Sequence, residues 1–374
     1  MRLLKLVVAA LILLIIIAIV AIGILIFFVD PNQLKPTLTS EVLRQTGYQL
    51  SIDGKLSWSF YPRLGIKAER MTMTNPGQIS PFLSLRDVRV ATPLAKFLSI
   101  RNQLSSTVYI AELQFAKLRF QNLNFNLNWQ NNLLNIGPIN ALFYNGSLNG
   151  VVRARNLRAL PNWEWNVQTD KVELQSLLQD LNPNHKIKIS GLAKINLQGN
   201  TLGKNNTQLI KNLNGNGKLI VDQGVLYGID LNYFVQSAEA LLNKKPLPPL
   251  PQNKQTSFQQ MTSTILIKNG VINTPDILLV SNQFSTKATG SINLLDETLN
   301  YQAQIMSFQS TQFKWAIPIL ISGSLNNPTV RLDTLGIYAT ITQEQFEQVK
   351  TKIQKEIKKI PGKVDRLLKR IMDN

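Results

Sequence analysis

Few residues in this chain have the types and spacing that bond-making chemistry requires. There is one histidine, His185, beside Lys186 at the start of an alternating polar–apolar stretch, and no His/Asp/Glu cluster has metal-ligand spacing. A lone surface histidine accounts for it. Gly215 and Gly217 form a bare Gly-x-Gly with no helix pattern after it, so a phosphate-cradling loop is not indicated. Asp222 and Asp230 lie about eight positions apart across a glycine-rich stretch and do not define a catalytic carboxylate pair. The chain has no cysteine, which excludes a disulfide framework and a thiolate metal site. An extracytoplasmic location stays open, because a large β protein folds without disulfides. The sequence therefore names no catalytic, metal or cofactor-binding residue, and it reads as a non-enzyme.

What remains is chemistry of a distributed kind, the burial of apolar surface. In "GYQLSIDGKLSWSFYPRLGI", Gly47 to Ile66, the even positions Tyr48, Leu50, Ile52, Leu56, Trp58 and Phe60 are apolar, while most odd ones are polar or small. Period two means a strand with one oily face. In "NLNFNLNW", Leu123, Phe125, Leu127 and Trp129 alternate with Asn122, Asn124, Asn126 and Asn128. The binding candidates are thus Leu56, Trp58, Phe60, Leu123, Phe125, Leu127 and Trp129. Two readings fit them. In one, the oily faces close on each other as a sandwich or barrel with a dry core. In the other, the sheet curls into a trough whose oily face stays open to acyl chains. Alternation alone does not separate these.

The elements that must position such faces are mostly strands. Asp53-Gly54 reads as a tight hairpin turn, as do Asn269-Gly270 and the stretch around Asp296-Glu297. "HKIKISGLAKINLQG" alternates with a register break at Gly191. Helix-period runs are few: a short helix capped by Asp30, with Pro31 at its first position and ended by Gly47, then Pro93–Asn102, Glu173–Leu181 and Leu231–Asn243. A parallel fold would need a crossover helix after nearly every strand, so the sheet is predicted to be antiparallel. "KKPLPPLPQNKQT", 244–256, reads as an extended connector rather than an SH3-type ligand.

The two ends differ from the middle. Leu6 to Val29 is uncharged, about 24 residues, enough to cross a bilayer with some tilt. Arg2 and Lys5 precede it and Asp30-Pro31 follow, so the N-terminus is predicted to be cytoplasmic and the rest translocated. The apolar run is too long for the core of a cleaved signal peptide and lacks a small-x-small site, which favours an uncleaved anchor. From Thr342 onward, Phe346, Val349, Ile353, Ile357, Ile360, Val364, Leu367 and Ile371 recur at helical spacing among many Lys and Arg, with Pro361-Gly362 as a kink. This basic amphipathic helix could pack on the sheet, lie on anionic lipid or pair with another helix. The net charge of +18 brings nucleic acid and anionic lipid into consideration, but no zinc-finger, helix-turn-helix or RNP-like pattern occurs, and nucleic acid is set aside.

The order of these features carries a resemblance. "FVDPNQLKP" at Phe28–Pro36, followed by "GYQLSIDGKLSWSFYPRLGIKAERMTMTNP" at Gly47–Pro76, resembles the N-terminal region of the AsmA family, in which an Asp-Pro helix and a similar strand pair follow an inner-membrane anchor. "GNGKLIVDQGVLYGIDL", "TSFQQMTSTILIKNGVI", "ATGSINLLDETLNYQAQI" and "IPILISGSLNNPTVRLD" look like its C-terminal region. The resemblance implies a Gram-negative inner-membrane protein facing the periplasm. It implies a mainly β fold, a long curled antiparallel sheet forming an elongated apolar groove of the bridge-type lipid-transfer class. The implied ligand is phospholipid or another acyl lipid, in a role in outer-membrane lipid balance and envelope assembly, with an outer-membrane or periplasmic partner. The alternative is a tethered scaffold for outer-membrane protein assembly, with a closed core. About 18 strands at roughly 4.8 Å each would span on the order of 85 Å, short for bridging the envelope alone. The expected division is 1–29 for the cytoplasmic end and anchor, 30–210 for an N-terminal helix and β groove, 211–335 for a C-terminal β region with the proline-rich loop, and 336–374 for the basic helix.

Overall fold

The computed structural model describes residues 30–59, 65–91, 103–157, 159–184, 186–308 and 316–337. The anchor, Phe60, the 93–102 helix run, His185 and the basic tail fall outside these residues. Among the described residues, no helix is long and apolar enough to cross a membrane.

Seventeen strands make up an antiparallel sheet. They are β1 (Gln49–Ser59), β2 (Gly65–Thr74), β3 (Leu83–Ala91), β4 (Gln103–Phe115), β5 (Leu118–Gln130), β6 (Leu133–Phe143), β7 (Gly146–Arg155), β8 (Asn162–Glu173), β9 (Lys188–Ile189), β10 (Leu192–Leu202), β11 (Asn214–Tyr227), β12 (Gln255–Lys268), β13 (Val271–Val280), β14 (Phe284–Asn293), β15 (Thr298–Ser307), β16 (Ile317–Ser324) and β17 (Asn327–Leu332). The helices are few: a 3-10 turn at Pro31–Leu34, α1 (Lys35–Thr46), α2 (Leu174–Leu181), α3 (Asn206–Lys211) and α4 (Leu231–Leu242). The chain divides into two compact units. One holds the residues up to Asn184 with Ile189–Asp222 and Thr264–Ile272; the other holds Gln223–Ser263 and the residues from Asn273 onward, with a short piece before Ile189.

In the first unit, β1 through β8 pair in chain order, then β8 with β10 and β10 with β11. The helix before β1 is bounded as the sequence implies. Asp30 Oδ1 accepts from the Asn32 backbone N–H at 2.9 Å, Pro31 starts the turn, and Gly47 ends α1 at φ +76°. Asn32 then completes β1's edge. Its Oδ1 accepts from the Leu56 N–H at 2.9 Å, and its Nδ2 donates to the Leu56 carbonyl at 3.1 Å. An open strand edge invites further pairing, and here a side-chain amide occupies it.

Asp53-Gly54 is not a hairpin turn. β1 runs straight through it and pairs with β2 on both sides, Asp53 with Arg70 and Leu56 with Ala68. One extra residue on β1 makes this a β-bulge, with Gly54 at φ +78°. A side chain there would collide with Glu69. Asn269 and Gly270 do form a turn, at φ 51° and 78°, and Glu297 turns the chain between β14 and β15.

The bulge belongs to a line of irregularities. Ala68↔Val88 and Arg70↔Arg86 put Glu69 opposite Asp87. Val88↔Ile110 and Arg86↔Glu112 put Asp87 opposite Ala111, and Ile110↔Leu123 with Glu112↔Gln121 put Ala111 opposite Asn122. Asp87 and Asn122 have φ 54° and 50°. Asp and Asn tolerate this left-handed backbone better than most residues. Each of β2 to β5 takes three residues, not two, between successive inward positions across this line: 68 to 71, 85 to 88, 110 to 113, 120 to 123. Bulges bend strands and raise local twist, so lining them up concentrates the bend in one place. On the outward side the line carries ion pairs, Lys67 to Asp87 at 2.9 Å and Arg86 to Glu112 at 3.1 Å. The Lys67 hydrogen bond holds the Asp87 carboxyl below the usual carboxylate range.

The second unit has a closed core. α4 packs on β15 and β16, and Val235 and Ala238 are buried there with Ile305, Ile317 and Ile319, the last three no more than 1% exposed. Asp230 caps α4 by accepting from the Asn232 and Tyr233 N–H groups, which accounts for that carboxylate structurally.

Candidate functional site

The inward face of β1–β6 carries the candidate residues. Leu56, Ala68, Val88, Ile110 and Leu123 stand directly opposite one another across β1 to β5. All five are buried. The next row is Trp58, Ile66, Val90, Val108 and Phe125, again in register. Beyond the bulge line, Ile52, Met71, Leu85, Leu113, Phe120 and Phe143 form a third row. Directly opposed side chains on one face are the closest neighbours in a sheet, so three such rows make a continuous apolar surface.

Among the described residues, the side chains packed against the central row all come from the same face of these strands: Ile52, Ile66, Met71, Leu85, Leu113, Phe120, Phe125, Leu127 and Ile139. No hydrophobic side chain of a described helix is among them. The margins are correspondingly open, with Val90 39% and Trp129 36% exposed. α4 contacts β15 and β16, while α1 contacts β1 and α2 contacts β5; no side chain of a described helix is among the hydrophobic residues packed on the central row.

The structure brings Leu56 and Leu123 into one row, Trp58 and Phe125 into the next, and Leu127 beside them. Trp129 sits at the margin, opposite Leu134. Phe60 lies outside the described residues. The residues that connect these candidates, Ala68, Val88, Val108 and Ile110, were not singled out by the sequence. Their strands change phase at the bulge line, so no long alternating run announces them. A signal was present only on alternate strands: Gly54, Asp87 and Asn122 mark the slip on β1, β3 and β5, while Glu69 and Ala111 on β2 and β4 give none.

The face continues past β6. Leu148, Thr169, Ile195 and Leu219 are opposed in turn across β7, β8, β10 and β11. Trp165 lies opposite Gly199, where a side chain would meet its ring at 2.6 Å. Gly215 in turn faces Gly199. The Gly-x-Gly of the sequence is therefore strand, with glycine making room for an aromatic neighbour.

One end of the face is tied by α2. Asp180 accepts hydrogen bonds from Arg119 Nε and, at 2.8 Å, from the Tyr144 hydroxyl. Lys117 Nζ donates to the Leu181 carbonyl at 2.8 Å. At the other end of the helix, the Leu174 N–H donates to the Gly191 carbonyl at 3.1 Å. α2 thus links the β4–β5 and β6–β7 turns to the start of β10. Burial, and then the Asp180 bond, push the Tyr144 hydroxyl pKa up, so the phenol stays protonated and keeps donating. Phe143 stacks on Phe120 at 4.8 Å beneath it. Among the described residues, no group of three or more His, Cys, Asp or Glu is arranged to hold a metal ion.

Comparison with known proteins adds the following. The family model described as AsmA family matches residues 1–95 and 90–277. Protein AsmA of Escherichia coli (strain K12) is 32% identical over 95 residues, which is 25% of this chain and 15% of that protein. No solved structure matches.

Proposed function

We propose, on the premise that this chain belongs to the AsmA family, that it is an envelope protein that holds or transfers phospholipid on the apolar face of β1–β6. In this reading it acts without catalysis. Residues 6–29 anchor it in the inner membrane of a Gram-negative cell, the rest stands in the periplasm, and its work is outer-membrane lipid homeostasis and envelope biogenesis, with a periplasmic or outer-membrane partner. The observation that carries the reading is the continuous apolar face: three apolar rows in register, on which, among the described residues, the packed hydrophobic side chains all come from the strands themselves. Each methylene of an acyl chain buried there gains about 0.8 kcal/mol, so a chain only partly covered is still held.

The test is to isolate the full-length protein and measure co-purifying lipid by mass spectrometry, beside Phe125→Glu. Phe125 is half-buried in the second row. A carboxylate there would sit among acyl chains, so bound lipid should fall severalfold while the strand signal in circular dichroism is kept. A second reading, a scaffold with a closed core, is favoured by the helix-covered face of the second unit. Under that reading the wild type carries no lipid, and Phe125→Glu unfolds the first unit, because an unpaired buried charge costs several kcal/mol.

A further inference from the structure

The outward face of the first unit carries a pattern that lipid binding leaves unused. Asn124 on β5 stands opposite Asn140 on β6, Asn140 opposite Asn149 on β7, Asn149 opposite Gln168 on β8, and Gln168 opposite Asn196 on β10. Lys218 on β11 ends the row. A second row runs alongside, Asn166 on β8, Gln198 on β10 and Asn216 on β11. At a strand spacing of about 4.8 Å, the first row is about 24 Å long from β5 to β11. From Asn124 to Asn196 it contains no charged side chain, in a chain of net charge +18. The ion pairs lie elsewhere on this side, at the bulge line and between Arg155 and Glu164.

We propose that this carboxamide stripe binds an extended neutral glycan strand. Each amide presents one acceptor and two donors, the complement that vicinal hydroxyls and acetamido groups need. Bonds within the stripe are long: 3.3 Å from Asn140 Nδ2 to Asn124 Oδ1, and 3.5 Å from Asn166 Nδ2 to Gln198 Oε1. They leave capacity for a ligand. A β-linked glycan is itself a ribbon that repeats its polar groups on the scale of the strand spacing. Where the two rows meet β11 there is a shallow depression of about 330 Å³, lined by Gln168, Asn196, Gln198, Asn216, Lys218 and the exposed Leu266. An apolar side chain among amides suits the C–H face of a sugar ring. Charge points the same way: from Asn124 to Asn196 the row offers a polyanion no cation, and Lys218 stands only at its β11 end, whereas a neutral polyol meets amides along the whole length. The inference concerns the face opposite the lipid candidates and does not depend on them.

The test uses the full-length protein in a non-glycosidic detergent and a fluorescently labelled N-acetylglucosamine hexamer, followed by anisotropy. Saturable binding that added salt does not weaken is expected. Asn149→Thr, Gln168→Thr and Asn196→Thr combined should weaken it about tenfold or more, since several hydrogen bonds are lost. Gln168→Thr alone, a milder change, should weaken it severalfold and covers the case in which the triple variant misfolds. No saturable binding overturns the proposal. So does binding that these variants retain, or binding that salt abolishes and a sulfated polysaccharide displaces.

Discussion

Asn32 acts in place of a strand that β1 lacks. Its amide pairs with both the N–H and the carbonyl of Leu56, at the point where Leu56 turns its side chain into the central apolar row. An edge N–H or carbonyl without a partner costs roughly 1–3 kcal/mol when water is kept away. Asn32→Ala should therefore lower stability by about 1 kcal/mol and speed hydrogen exchange at the Leu56 amide about tenfold. Asn32→Asp keeps the acceptor and loses the donor, so Leu56 protection should recover in part. Unchanged exchange in Asn32→Ala would mean that the pairing contributes nothing. At this scale the sequence is informative only where a residue acts locally. Asp30-Pro31 and Gly47 announce the helix they bound, because a cap is satisfied within a few residues. Asn32 reaches 24 positions along the chain, and no local pattern announces that.

Among elements, the bulge line decides how the apolar face is built. Asp-Gly is among the strongest hairpin signals, because both positions accept positive φ. A bulge with glycine in the left-handed region uses the same property. What decides between them is β2, which is long enough to pair on both sides of Gly54, and that is a fact about another segment. The same line breaks the alternation of β2 to β5, so the clean run from Leu123 to Trp129 was legible while its partners Val88 and Ile110 were not. The line is testable at Asn122, φ 50°. Both Asn122→Gly and Asn122→Val remove its bond from the Tyr109 hydroxyl, so their difference isolates the backbone. The valine variant should be less stable than the glycine variant by about 1–2 kcal/mol in denaturant unfolding. Equal stability would show that the left-handed residue carries no conformational cost.

At the scale of the molecule, the β-dominated antiparallel class was legible throughout, because period-two patterning with few crossover helices excludes a parallel sheet. Which face stays open was not legible, since a covered and an uncovered face have the same alternation. The packing elements had to be seen: α4 lies on β15 and β16, α1 contacts β1 and α2 contacts β5, while the hydrophobic side chains packed on the central row of β1–β6 all come, among the described residues, from these strands. Location follows from residues outside the described part. If Leu6–Val29 is an anchor with Arg2 and Lys5 inside, reporter fusions after Gly47 and after Asn374 should both be active on the periplasmic side. A cytoplasmic signal from either would reject that topology.

The central claim is that acyl chains lie on one face of β5 and not the other, and side-chain parity tests it directly. A photo-crosslinking amino acid is placed in turn at Leu123, Asn124, Phe125, Asn126 and Leu127 in the full-length protein in cells, and lipid adducts are read by mass spectrometry. Strand geometry sends successive side chains to opposite faces. Adducts at 123, 125 and 127, with none at 124 and 126, are the predicted result. Adducts without regard to parity, or none at any of the five positions, would contradict it.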